Sequence, residues 1–105
     1  MSNQTVFSNY FSGVWIPLDG TFYFQMDHPS FADGAITVTA HPIEGGVGGL
    51  APVFMEVIQM ATRWEDDGAA GIHHILDIVV RNNGHAGGLA NPITEFSVYT
   101  SVANP

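Results

Sequence analysis

The chain contains no cysteine and no lysine, and its only strongly basic side chains are Arg63 and Arg81. Without cysteine there is no disulfide framework, no thiol nucleophile and no thiolate zinc or iron–sulfur centre. Without lysine there is no Schiff-base chemistry, no pyridoxal phosphate anchor and no P-loop. Two arginines against ten acidic residues give a formal net charge of -8. Binding to nucleic acid through counterion release then has almost no basis, and an anionic membrane surface repels the chain. No run of residues reaches transmembrane length, and Met1-Ser2-Asn3-Gln4-Thr5 lacks the basic segment of a signal peptide. We therefore expect no nucleic-acid partner, no membrane insertion and a cytoplasmic location by default, with signal-independent export or a particle surface as alternatives.

What is present is apolar and rich in turn formers. Of 105 residues, 46% are hydrophobic and 11% charged, with 12 glycines and 6 prolines. That composition fits one folded domain over residues 1–105 and is too apolar for a disordered chain. A chain this short cannot hide so much apolar surface by itself, which points to a homo-oligomer.

Hydrophobic periodicity points to strands. Residues 21–26 are short and aromatic, bounded by Asp19-Gly20 and by Asp27-His28-Pro29. Residues 35–41 alternate, with Ile36, Val38 and Ala40 on one face and threonines on the other. Over residues 72–81 the alternation sets Ile72, His74, Leu76, Ile78 and Val80 inward, and Asn82-Asn83-Gly84 signals a turn. In residues 94–102, Phe96, Val98 and Val102 face inward against Glu95, Ser97, Tyr99 and Ser101. Val6, Phe7, Tyr10 and Phe11 give a weaker strand signal, and Ser12 to Pro17 read as irregular.

Residues 53–64 fit two templates. Leu50, Val53, Phe54, Val57, Ile58, Ala61 and Trp64 make a helical stripe, whereas Phe54, Glu56, Ile58, Met60, Thr62 and Trp64 alternate as one face of a long strand. Strand neighbours on both sides favour the strand. The expected fold is all-β, a small antiparallel β-sandwich of immunoglobulin/fibronectin-like or jelly-roll-like type, with α+β and one helix at about 52–65 as the alternative. The turn at Asn82-Asn83-Gly84, joining Leu76 to Arg81 with Phe96 to Tyr99, resembles a hairpin of immunoglobulin- and fibronectin-like sandwiches. The likeness implies architecture and no activity.

Chemical motifs are weak. Gly46-Val47-Gly48-Gly49-Leu50-Ala51 matches the dinucleotide pattern, but five residues separate it from the preceding strand and the chain has room for about one βαβ unit, so no cofactor is expected. His73 and His74 are adjacent and point to opposite faces of a strand, so they do not ligate one ion together. Whether His28, His41, His73, His74 and His85 converge on a metal is left open by the sequence. Asp66 and Asp67 are the most plausible calcium nucleus, although each acid here sits in a turn that Asp itself stabilises. No G-x-S-x-G elbow or cleft-spanning carboxylate pair is present, so no catalytic residue is assigned.

Aromatics remain. An exposed ring beside Asp, Asn or His stacks on a sugar face while polar groups bind hydroxyls. The residues expected to bind a ligand are Trp15, Trp64, Tyr99, Asp66, Asp67 and His85. The leading expectation is a non-enzymatic, homo-oligomeric recognition module, lectin-like or binding another small ligand. A structural subunit of a particle, filament or shell is the alternative, and a small metal-dependent or pocket enzyme the third reading.

Overall fold

The structure, a computed structural model, describes residues 3–43, 53–84 and 92–104. Its six strands are β1 (Asn3–Ile16), β2 (Thr21–Asp27), β3 (Ala35–Pro42), β4 (Met55–Asp66), β5 (Ile72–Asn82) and β6 (Ile93–Asn104). They form two three-stranded antiparallel sheets, ordered β1-β6-β3 and β2-β5-β4. The chain is a small all-β sandwich. Single turns of 3-10 helix at Pro29–Ala32 and Gly68–Ala70 are the sole helical pieces among the described residues.

Alternation explains the core. The central strands β5 and β6 turn Leu76, Ile78 and Val80, and Phe96, Val98 and Val102, toward each other, and all six are fully buried. Edge strands contribute the half-buried Phe7, Phe11, Phe22, Phe24, Ile36 and Val38. Phe96 is the hub, stacked on Phe11 at 4.9 Å and meeting Phe22 edge-on at 5.3 Å. The 3-10 turn between β2 and β3 plugs one end with buried Phe31, and the His28 ring nitrogen caps it by accepting the Ser30 backbone N–H at 3.1 Å. Gly34 is required where the chain then enters β3, because a Cβ there would lie 2.2 Å from Val102 Cγ1.

Residues 55–66 are strand, as favoured from the sequence, and the alternative helix at about 52–65 is not formed. The structure corrects three expectations. The residues resembling a β5–β6 hairpin belong to different sheets, with β5 paired to β2 and β4 and β6 to β1 and β3. Both are central strands whose inner faces are mainly apolar, interrupted by the buried Asn82 in β5 and Thr100 in β6, and burying two such faces against each other outweighs pairing them edge to edge. β1 continues through Ser12 to Ile16 by a register shift at Gly13, whose φ of +69° suits glycine. Finally, Phe54 to Trp64 do not share one face. A bulge between Val57 and Gln59 shifts the register, placing Val57 opposite Val80 but Met60 opposite Ile78.

Candidate functional site

Among the described residues β4 is an edge strand, paired to β5 alone. In β2 and β3 exposure alternates strictly, as a covered face and a solvent face require. β4 loses this alternation after Val57, and Ile58, Gln59, Met60, Ala61 and Thr62 are exposed in succession. Met60, Thr62 and Trp64 lie opposite Ile78, Leu76 and His74, on the side that carries the core in β5. Yet Met60 is 44% and Trp64 67% exposed. The eight-residue β3 spans less than the twelve-residue β4. The inner face of the strand therefore projects past its cover. Ile72, expected inward, is exposed at the same end for the same reason.

Beside this overhang is a shallow groove of about 150 Å3, lined by Phe31, Ala32, Thr62, Arg63, Trp64 and His74. Trp64 forms its exposed wall. Small-molecule sites commonly enclose several hundred Å3.

The opposite face of the same sheet is polar. Arg63 Nε donates to Asp77 Oδ2 at 2.7 Å, its Nη2 to Gln25 Oε1 at 2.9 Å, and its Nη1 bonds Glu65. The Tyr23 hydroxyl donates to Asp77 Oδ1 at 2.5 Å. These bonds tie β2, β5 and β4 together across the sheet. The Arg63 guanidinium holds the Asp77 carboxyl below its ordinary 3.8, with the Tyr23 hydroxyl adding to the effect. Asp77 in turn pushes the Tyr23 phenol up. Because the folded pKa of Asp77 is depressed, its contribution to stability is complete above the unfolded value and is lost as pH falls through the folded one. We expect wild type and Asp77→Asn to differ in urea midpoint by a constant amount above about pH 5 and to converge only as pH falls through the depressed folded value, below the ordinary carboxylate range. A difference that persists unchanged at the acid end would contradict this.

His73 is held between two carboxylates, with Nδ1 2.7 Å from Asp27 Oδ2 and Nε2 3.5 Å from Asp67 Oδ2. Its two nitrogens point at different acids, which clasps β2 to the β4–β5 turn instead of converging on one ion. Among the described residues no group of three or more His, Cys, Asp or Glu side chains is placed to hold a metal. None of their helices is long and apolar enough to cross a membrane.

The residues expected to bind a ligand are dispersed. Trp64, Asp66 and Asp67 lie together at the β4–β5 turn, where Asp66 Oδ1 accepts the Gly68 N–H at 3.0 Å. Trp15 is at the far end, since the Ile16 carbonyl after it accepts from the Asn82 side chain at 3.0 Å. Asn82 is eight residues along β5 from His74, the partner of Trp64, a separation of about 26 Å at strand rise. Tyr99 is on the outer face of the other sheet, edge-on to His41 at 5.4 Å. His85 lies outside the described residues. Sequence reasoning missed Met60 and Thr62 as surface groups, because a strand bearing apolar side chains on both faces reads as buried.

Compared with protein-family models, curated proteins and solved structures, the chain matches none.

Proposed function

We propose that this chain is a non-catalytic β-sandwich subunit that works by assembling with copies of itself through the β4 edge. The observation that carries the reading is the loss of alternation in β4, which leaves Ile58, Met60 and Trp64 exposed on a strand whose outer edge pairs with nothing among the described residues. Such an edge is a template for strand pairing unless it is charged, broken or covered. The remaining aromatics, spread over separate faces, offer no comparable concentration of apolar surface around one ligand.

The groove beside Trp64 favours a second reading, a small-ligand or lectin-like site in which a sugar ring stacks on the indole while Thr62 and His74 meet its hydroxyls. Tryptophan fluorescence that responds to mono- and oligosaccharides in wild type but not in Trp64→Phe would favour that reading over assembly.

Sedimentation equilibrium tests the first. At about 100 µM we expect a dimer or larger species with mass-action dependence on concentration. A single species at the monomer mass of 11.3 kDa would overturn the proposal.

A further inference from the structure

We infer that a second copy of this chain docks on β4 by antiparallel strand pairing about a two-fold axis at Thr62, joining two three-stranded sheets into one of six. The inference rests on the assembly reading above and adds a partner, an orientation and a register.

Three observations select a second copy and this register. The first is charge. The chain carries -8, yet residues 59–65 hold one arginine and one glutamate, so this stretch is locally neutral. Two copies meet there without placing like charges in contact.

The second is straightness. Past the bulge between Val57 and Gln59, β4 runs in unbroken register with β5 from Gln59 opposite Val79 to Asp66 opposite Ile72. A two-fold antiparallel pairing needs such a stretch and no more, because each residue meets its mirror position.

The third is side-chain complementarity. With Thr62 on the axis, Thr62 faces Thr62 of the other copy, a favourable cross-strand pair. Met60 then faces Trp64 twice, burying the two exposed apolar groups of the overhang against each other with sulfur–aromatic contact. Ala61 faces Arg63, leaving room for the guanidinium, and Gln59 faces Glu65. Neighbouring registers are worse. An axis at Arg63 sets Arg63 against Arg63, an axis at Ala61 sets Trp64 against Ile58 at the bulge, and neither brings Met60 opposite Trp64. The other edge strands lack this combination, because β2, β3 and β1 as far as Ser12 alternate in exposure and keep one face covered.

The absence of cysteine makes the test clean. Single-cysteine variants Thr62→Cys and Glu56→Cys are treated with a short bifunctional thiol reagent and read on a denaturing gel. At the axis the two thiols are adjacent. At Glu56, six residues away in each copy, they are about 40 Å apart. We expect Thr62→Cys to become mostly covalent dimer and Glu56→Cys to remain monomer. Trp64→Lys and Met60→Lys, both at exposed positions, should each weaken self-association at least tenfold in sedimentation. If wild type is a monomer, assembly and docking both fail. If wild type is oligomeric but Thr62→Cys does not cross-link in preference to Glu56→Cys, or the lysine variants sediment like wild type, docking at β4 is overturned while assembly stands.

Discussion

Truncating Phe96 to alanine should lower the free energy of unfolding by about 4 kcal/mol, the upper range for a buried aromatic. Phe96 is fully buried on a central strand, stacked on Phe11 from β1 and edge-on to Phe22 from β2. Its ring therefore bridges the two sheets, and its removal leaves a void that neither edge strand fills without moving. Domains of this size have roughly 5–15 kcal/mol in total, so the variant keeps a fraction of its margin. Urea titration checks this through a large fall in midpoint with an unchanged slope. A loss below about 1.5 kcal/mol would mean that the two sheets do not depend on this contact.

Replacing Asn82 with leucine should cost about 3 kcal/mol despite the similar volume. Asn82 is fully buried at the end of β5. Its amide donates to the Ile16 carbonyl at 3.0 Å and its side-chain oxygen accepts the Gly84 N–H at 2.8 Å. One side chain thus ties the end of β1 in one sheet to the exit of β5 in the other. Leucine leaves both backbone groups buried and unpaired, and an unmade buried bond costs more than a made one contributes. The main-chain bonds of Asn82 with Gly20 and Asp19, at 3.0 and 2.8 Å, survive the change. Thermal unfolding should therefore drop by more than about 10 °C while the spectrum of the folded state stays that of strand. A drop of only a few degrees would show that Asn82 fills space and little else.

The sequence revealed the inner faces of β5 and β6 because they obey a period of two, and their residues Leu76, Ile78, Val80, Phe96 and Val98 are all buried. Tyr99 and Tyr23, assigned outward by the same alternation, are outward. Pairing was less legible. The turn signal after Arg81 is real, but a local signal does not say which sheet the next strand joins, and β5 and β6 face each other across the core. The face of each residue in β4 was obscured by the bulge after Val57, since one extra residue reverses every later side chain. Of the candidate site, Trp64, Asp66 and Asp67 were legible as neighbours in sequence. The exposure of Met60 and Thr62 was not, because it depends on β3 being shorter than β4, a relation between strands of different sheets that neither strand's own pattern records.

Hydrogen exchange at the backbone amides of residues 59–65, followed as a function of protein concentration, tests the claim that β4 is the working edge. Pairing with a second copy satisfies the outward-facing N–H groups of this strand and no others in the fold. The account predicts that these amides become protected as concentration rises, while those at the free edges of β1, β2 and β3 stay as they were. Concentration-dependent assembly that leaves residues 59–65 unprotected, or that protects another edge instead, would contradict it.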